Sequence, residues 1–188
     1  HWKETIGDIA NRPGEWSKWS PNYRTDGLGY HEFYELCEYL HCDAMYVTSS
    51  GLVCSPWVYE SKERDEHLFP KVNIQDYIQD ALDAIEYAIG PVDSKWGSKR
   101  AENGHPKPFP LKYIEIGNED FGPTYYRNYD AIYHAINSKY PQLKIIANSI
   151  IGQSKDADMK RERVADFVDP LTVKIFDEHY YKDIPWVI

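Results

Sequence analysis

Hydrophobic residues recur along the chain in alternating helical and strand-like segments. Between Leu28 and Leu40 the apolar positions are spaced by three and four residues, which predicts an amphipathic helix with its apolar face turned inward. Residues 44–48 form a short apolar run that is typical of a buried strand. A second helix is predicted over 74–89, where apolar residues follow the helical period until a Gly-Pro pair ends it.

The second half of the chain continues this alternation. A long loop extends to about residue 110, and a strand is then predicted at 112–117, with a helix after it at 125–140. Two further strands are predicted at 143–148 and 171–176, and a charged surface helix at 155–167 separates them. Strands separated by helix-length segments pair in parallel through right-handed crossovers.

This order of elements predicts an α/β fold and leaves two architectures, a doubly wound sheet and an eight-stranded (β/α)8 TIM barrel. The chain carries no GxGxxG or P-loop motif, so the usual reason to favour a nucleotide-binding sheet is missing. We therefore favour the barrel. Because a barrel needs roughly 250 residues, the 188 residues present account for about half of one.

Composition and charge narrow the functional classes. The formal net charge is −9 without any block of Lys or Arg, which argues against a nucleic-acid partner. No apolar run approaches the ~20 residues that span a bilayer, so we expect no membrane association. The 6 Trp and 16 Tyr are numerous enough for stacking on sugars, although packing of Tyr-rich helices on a sheet explains many of them equally well.

The cysteines and the first residues of the chain carry less information. Cys37, Cys42 and Cys54 are odd in number and form no CxxC pair, so we expect buried thiols, not a zinc site or a disulfide framework. The sequence opens with His-Trp-Lys-Glu, which is neither an initiator Met nor a signal peptide. The N-terminus of the protein is therefore expected to lie outside this chain, and its localisation is not predicted.

Catalytic groups of a parallel barrel project from the carboxyl ends of its strands, so the residues that follow each apolar run are the candidates. Loops begin at the same places, and polar residues are common there for that reason alone. The four candidate segments are Ser49-Ser50-Gly51, Asn118-Glu119-Asp120, Asn148-Ser149 and Asp177-Glu178-His179-Tyr180-Tyr181.

The pair Asn118-Glu119 is the most informative of these segments. Gly117 allows the chain to turn, and an amide that can bind a sugar hydroxyl then precedes a carboxyl group that can donate a proton. Retaining glycoside hydrolysis needs such a proton donor and a second carboxylate ~5–5.5 Å away. Glu115 is four strand residues earlier, about 13 Å at ~3.3 Å per residue, which is too far. We therefore expect the nucleophile outside this chain.

The segment Asp177-Glu178-His179 has two interpretations. It could ligate a metal, but successive strand residues face opposite sides and no second group of ligands supports such a site. We favour the alternative, in which His179 and Tyr181 share one face, line a pocket and hydrogen-bond the substrate or the missing carboxylate. No metal and no cofactor are predicted.

These motifs together resemble family 51 glycoside hydrolases, the α-L-arabinofuranosidases, which carry an Asn-Glu motif at the end of the fourth barrel strand. The resemblance extends over nearly the whole chain. It implies that residues 1–188 belong to a single catalytic TIM-barrel domain and cover roughly its third to sixth strands. It is carried by Trp2-Lys3-Glu4-Thr5-Ile6-Gly7, Arg12-Pro13-Gly14, Thr25-Asp26-Gly27-Leu28-Gly29, His31-Glu32-Phe33, Arg100-Ala101-Glu102-Asn103-Gly104-His105-Pro106, Tyr113-Ile114-Glu115-Ile116-Gly117-Asn118-Glu119 and Asp177-Glu178-His179-Tyr180-Tyr181.

The resemblance implies a role for four of the candidate residues. Glu119 would be the general acid/base, and Asn118 would bind the sugar hydroxyl next to the anomeric carbon. Tyr181 would contact the nucleophile, and Trp19 would line the sugar site, although a packed loop aromatic explains Trp19 nearly as well. The chain departs from the family pattern after the strand at 44–48, where Ser49-Ser50-Gly51 replaces an Asn before a small residue and Gly.

The activity that the resemblance implies is release of terminal α-L-arabinofuranosyl residues from arabinose-containing oligo- or polysaccharides by double displacement. The isolated fragment is expected to be inactive because it lacks the nucleophile, and the full-length enzyme could form a homo-oligomer. Two alternatives stay open at this stage. One is another retaining glycosidase of the same clan, of the xylanase or β-glycosidase type, and the other is a non-catalytic carbohydrate-binding barrel fragment.

Overall fold

The computed structural model describes residues 1–17, 21–52, 73–120, 123–151 and 171–180. The chain divides into two compact units. Unit 1 consists of His1–Ala44 and Leu82–Lys112, and unit 2 consists of Met45–Ala81 and Tyr113–Ile188. Within the described ranges, no helix is both long enough and apolar enough to cross a membrane.

Helices and strands alternate through most of the described chain. Short 3-10 helices at Trp2–Glu4 and Ile9–Asn11 precede an antiparallel pair of two-residue strands that the sequence pattern did not predict. The helices are α1 (Tyr30–Tyr39), α2 (Ile74–Ile89), α3 (Lys95–Glu102) and α4 (Pro123–Lys139). The strands are β1 (Glu15–Trp16), β2 (Tyr23–Arg24), β3 (Ala44–Thr48), β4 (Leu111–Ile116), β5 (Lys144–Ile151) and β6 (Ile175–Tyr180).

Unit 1 is built around a cluster of aromatic rings. The ring of Trp2 lies 5.1 Å from that of Tyr30 and 4.9 Å from that of Trp96. Tyr34 stacks on Phe109 with their ring centroids 5.0 Å apart. The hydroxyl of Tyr34 donates to that of Tyr30, so these amphipathic rings are buried without losing their polar partners.

The helix predicted between Leu28 and Leu40 is present as α1, but the predicted inward face is wrong. Leu28 and Phe33 are 59% and 53% exposed, whereas Tyr30, His31 and Tyr34 are buried. The prediction assigned the core to aliphatic residues of α1. The residues of α1 that are buried are instead those whose rings belong to the aromatic cluster of unit 1.

The long loop predicted after α2 is also partly wrong, because it contains α3. Ser94 caps this helix by accepting a hydrogen bond from the Gly97 amide at 3.1 Å. The fully buried Arg100 then donates to the backbone carbonyls of Tyr87, Gly90, His105 and Pro106. One guanidinium therefore holds the segment on both sides of α3 in place.

Unit 2 carries the parallel sheet, in the order β3-β4-β5-β6. Strand β5 pairs in parallel with β4 on one side and with β6 on the other. The Gly117 amide donates to the carbonyl of Thr48, which joins the ends of β3 and β4. The parallel α/β sheet is therefore confirmed, and consecutive strands lie side by side as they do in a barrel wall.

The boundaries of the last strand differ from the prediction. The predicted strand was 171–176, but β6 runs over Ile175–Tyr180, and Leu171 and Thr172 form a turn. The ladder with β5 continues to the pair Ile151 and Tyr180, which places Asp177, Glu178 and His179 inside the strand. Apolarity marked the wrong residues because three consecutive polar residues, Asp177, Glu178 and His179, lie inside this strand.

Two smaller predictions have different outcomes. The thiols were expected to be buried, but Cys42 is exposed and Cys37 is partly exposed, while Cys54 lies outside the described residues. The surface helix predicted at 155–167 also lies outside them.

Candidate active site

The carboxyl end of β4 turns sharply and presents Glu119. Gly117 and Glu119 both have positive φ, +87° and +56°. A Cβ on Gly117 would lie 2.5 Å from the Asp120 carboxylate, so only glycine fits this position. Glu119 is one of few non-glycine residues in the left-handed region, a conformation that concentrates at functional sites.

Asp120 anchors this turn from within. Its side chain is buried and accepts a hydrogen bond from the Ser50 hydroxyl at 2.6 Å and another from the Asn118 amide at 3.3 Å. Burial raises the pKa of Asp120, and these two hydrogen bonds oppose the rise. Ser50, where the chain departs from the family pattern, therefore helps to hold Asp120 in place.

Asn148 connects the turn after β4 to Glu115 within that strand. It is fully buried on β5, and its side-chain oxygen accepts from the Asp120 amide at 2.9 Å. Its side-chain nitrogen donates to Glu115 at 3.0 Å. The hydroxyl of Tyr125 accepts from the Asn148 amide and donates to the carbonyl of Ile116, both at 2.7 Å, which ties β4, β5 and α4 together.

Glu119 is hydrogen-bonded to His179. Its Oε1 lies 3.1 Å from His179 Nδ1, and the side chains of Glu119 and His179 are 13% and 25% exposed. The other ring nitrogen, Nε2, lies 2.9 Å from Asp177 Oδ2. Burial lowers the pKa of His179, but the hydrogen bonds and charges of Glu119 and Asp177 outweigh burial and raise it above the ordinary value.

Glu115 lies behind this pair, only 3% exposed. Burial raises its pKa to about 7, and although the bond from Asn148 opposes the rise, the charge of Asp177 and a hydrogen bond to it add to the rise. An oxygen of each carboxyl and a ring nitrogen of His179 lie within 4.8 Å of one another.

This cluster was not foreseen, because the sequence argument found no second group of ligands beside Asp177 and His179. Three potential ligand atoms on two strands could in principle approach a cation. However, both His179 nitrogens already have carboxylate partners. The closeness of Glu115, Asp177 and His179 is thus accounted for by hydrogen bonds between the side chains.

The other predicted site residues are distributed as follows. Asn118 is exposed at the β4 turn and lines, with Thr48 and Ser49, a cleft of about 240 Å³. Glu178 is exposed, on the strand face opposite to His179. Trp19 and Tyr181 lie outside the described residues. The structure therefore brings Glu119 and His179 together. Asn118 directly precedes Glu119 in the turn after β4.

A larger cavity of about 460 Å³ lies in unit 1 and contains none of the predicted site residues. Arg12 and Glu32 line it and form an ion pair at 2.6 Å. Arg12 also donates to the carbonyls of Gly7 and Asp26, and Glu32 accepts from the Gly29 amide at the start of α1. These bonds fasten the N-terminal loops, which gives the cavity walls a structural role.

The sequence analysis assigned no role in the site to Glu115, Asp177 or Asn148: Asp177 and Asn148 lay in candidate segments, and Glu115 was considered only as the nucleophile and rejected. A usable signal existed for two of them. Glu115 is a carboxylate in the middle of an otherwise apolar strand, and Asp177 precedes His179 by two residues, so both face the same side. The hydrogen bonds of Asn148 depend on the sheet register and carry no sequence signal.

Comparisons with known proteins bear on the family of the chain. The whole chain, residues 1–188, matches the family described as "Alpha-L-arabinofuranosidase 1 domain". It is 41% identical over 148 residues to Alpha-L-arabinofuranosidase 1 of Arabidopsis thaliana, covering 78% of this chain and 20% of that protein. It is 32% identical over 191 residues to the Extracellular exo-alpha-L-arabinofuranosidase of Streptomyces chartreusis, covering 100% of this chain and 22% of that protein.

A solved structure gives the same result. The arabinose-bound MgGH51 α-L-arabinofuranosidase superposes with a TM-score of 0.66 at 29% identity, covering 79% of this chain and 22% of that one. The chain spans about a fifth of the length of these relatives. From the match of its full length to the family and from these relatives, the chain belongs to the family 51 α-L-arabinofuranosidases.

Proposed function

We propose that the protein containing this chain is a retaining α-L-arabinofuranosidase that releases terminal α-L-arabinofuranosyl residues from arabinose-containing oligo- and polysaccharides. Glu119 is its general acid/base. The observation that carries this proposal is the position of Glu119, at a constrained turn after a parallel strand and with one carboxyl oxygen hydrogen-bonded to His179. A carboxyl group held in this way can act as a general acid/base.

We also propose that the four parallel strands are part of a (β/α)8 barrel, roughly its third to sixth strands. Two observations support this. Consecutive strands of the described sheet are neighbours, in the order β3-β4-β5-β6. Polar groups that belong together chemically, Glu119 and His179, lie at the carboxyl ends of two different strands, as catalytic groups of barrels do.

The reaction proceeds in two steps. In the first, a carboxylate outside this chain attacks the anomeric carbon while Glu119 protonates the leaving oxygen. In the second, Glu119 takes a proton from the water that hydrolyses the glycosyl ester. While the nucleophile is anionic, repulsion between like charges favours the protonated form of Glu119, and that repulsion disappears once the ester forms.

The neighbouring residues bind the sugar in this proposal. Asn118 hydrogen-bonds the hydroxyl next to the anomeric carbon, which its exposure at the mouth of the cleft allows. Tyr181 contacts the nucleophile, and Trp19 lines the sugar site. His179 orients Glu119 through its Nδ1.

The test uses protein expressed from the complete coding frame and two variants, Glu119→Ala and Glu119→Gln. Aryl α-L-arabinofuranosides with poor and good leaving groups are compared, because a lost proton donor matters most for a poor leaving group. We expect kcat/KM for the poor leaving group to fall by roughly 10²- to 10⁴-fold. With the activated substrate, azide should restore turnover of Glu119→Ala and yield the glycosyl azide.

Glu178→Gln is the matched control, since it removes a carboxylate that is exposed on β6. It should keep the activity of the parent protein. Equal losses on both substrates without azide rescue would show that Glu119 is not the acid/base. Parent activity confined to β-xylosides or β-glucosides would indicate another retaining glycosidase of the clan, and sugar binding without turnover would indicate a non-catalytic barrel.

A further inference from the structure

His179 is placed between two carboxyl groups. Its Nδ1 lies 3.1 Å from Glu119 Oε1 and its Nε2 lies 2.9 Å from Asp177 Oδ2. A neutral imidazole has one donor and one acceptor, so it cannot donate to both carboxylates. When Glu119 is ionised, as it is after it has given up its proton, both contacts are satisfied only if the ring is doubly protonated.

Asp177 in turn interacts with Glu115. An oxygen of each carboxyl group lies within 4.8 Å of the other, and Asp177 helps to raise the pKa of Glu115. Glu115 is the buried member of the pair, and its pKa is raised to about 7. Burial therefore favours the protonated form of Glu115, and the Asp177 carboxyl group faces His179 Nε2 at 2.9 Å.

We propose that Asp177, with Glu115 next to it, is a positioning residue for Glu119: its contact with His179 Nε2 fixes the imidazole ring, so that Nδ1 orients the Glu119 carboxyl. This inference rests on the proposed function of Glu119 and goes beyond it, because it assigns roles to two residues that do not touch the sugar. The order of contacts is Glu115, Asp177, His179 and Glu119.

The network has a directional consequence. Among the described residues, the ionisable side chains that face the His179 ring are Glu119, Asp177 and Glu115. The contact of Nδ1 with Oε1 of Glu119 restrains rotation of the carboxyl group and so fixes the direction in which it can transfer a proton. Without Asp177, the ring loses both its orienting acceptor and the nearest charge that stabilises its second proton.

The test follows the imidazole nitrogens of His179 by ¹⁵N NMR in protein expressed from the complete coding frame, with the resonance assigned by its loss in His179→Asn. In the parent protein we expect His179 to titrate above an ordinary histidine. In Asp177→Asn we expect the pKa of His179 to fall and its ring to lose the fixed orientation. Glu178→Gln removes an adjacent charge of the same strand on the opposite face and should change neither.

Activity gives the second readout. Asp177→Asn should lower kcat for a poor leaving group by roughly 10-fold or more with little change in KM, because a misdirected proton donor impairs the chemical step. It should also shift the pH profile of kcat. A substrate with a good leaving group should lose less. A merely structural role for Asp177 would lower the amount of folded protein without altering the pH profile.

The outcomes separate the two proposals. If Glu119→Ala behaves as an acid/base variant but the pKa of His179 is unchanged in Asp177→Asn, the positioning role is wrong and the proposed function stands. If the pKa of His179 falls in Asp177→Asn while Glu119→Ala retains activity, the positioning role of Asp177 is supported and the proposed function is wrong. If Asp177→Asn does not fold, the parent titration decides, and a pKa of His179 at or below the ordinary value overturns the proposal.

Discussion

Glu119 and His179 are hydrogen-bonded at 3.1 Å although 60 residues separate them in the sequence. Glu119 leaves the end of β4 in a left-handed conformation, and His179 projects from β6, two strands away in the sheet. The bond depends on the register of both parallel ladders, because a shift of one residue would turn His179 to the opposite face.

Gly117→Ala should distort the turn that carries Glu119. The new Cβ would meet the Asp120 carboxylate at 2.5 Å in a backbone conformation that already disfavours side chains. We expect a loss of roughly 1–3 kcal/mol in the free energy of unfolding, together with reduced kcat. Gly104→Ala is the control, since its φ is +96° but no atom lies within 4 Å. Equal stability and activity of the two variants, measured by urea unfolding and turnover, would contradict a steric role for Gly117.

Glu115→Gln should change how stability depends on pH. The folded-state pKa of Glu115 is raised to about 7 from 4.5. In the parent protein, the contribution of Glu115 to the free energy of unfolding is therefore fully present below pH 4.5 and is lost as the pH rises through 7. Glutamine stays neutral at every pH. The free energy of unfolding of the variant, compared with that of the parent, should therefore be higher by roughly 3 kcal/mol at pH 8 and unchanged at pH 4.

Urea unfolding of both proteins between pH 4 and 8 measures this difference. Glu178→Gln, at an exposed site on β6, should show no such trend. A constant difference between parent and Glu115→Gln across this range would mean that Glu115 does not bind a proton more tightly in the folded state.

Arg100→Met should destabilise unit 1 strongly. Its guanidinium is fully buried and donates to four backbone carbonyls, which would lose their donor in the variant. We expect a cost of roughly 3 kcal/mol or more in the free energy of unfolding. Lys99→Met is the matched control, because Lys99 is exposed and pairs only with Glu102 on the surface. Similar thermal melts of the two variants would rule out the bracing role of Arg100.

Tyr125→Phe should weaken the joint between β4 and β5. Its hydroxyl donates to the Ile116 carbonyl and accepts from the Asn148 amide, so removal leaves a buried N–H without an acceptor. We expect the free energy of unfolding to fall by about 1–3 kcal/mol. The backbone amide of Asn148 should also exchange its hydrogen faster. Tyr133→Phe, at a partly exposed position of α4, should leave that exchange rate unchanged. Unaltered exchange in Tyr125→Phe would show that another group satisfies this amide.

Much of the secondary structure was predictable because it follows local periodicity. Strand β3 and helix α2 have the predicted boundaries, and β4 is displaced by one residue. Apolar runs failed where the core is not aliphatic, as in the aromatic face of α1, or where a strand contains several consecutive polar residues, as in β6. Helix α3 was missed because Gly97 and flanking prolines suggested a loop, while its cap at Ser94 and the bonds of Arg100 stabilise it.

The sequence by itself determined the parallel α/β organisation, the family and the choice of Glu119, because each depends on short motifs and their spacing. Only the tertiary structure decided which groups surround that carboxyl. The contacts of His179 with Glu119 and of Asp177 with Glu115 join residues on different strands, and they exist because the sheet register aligns those strands. The charge of each group depends on its burial and its neighbours, and no local pattern of residues encodes either.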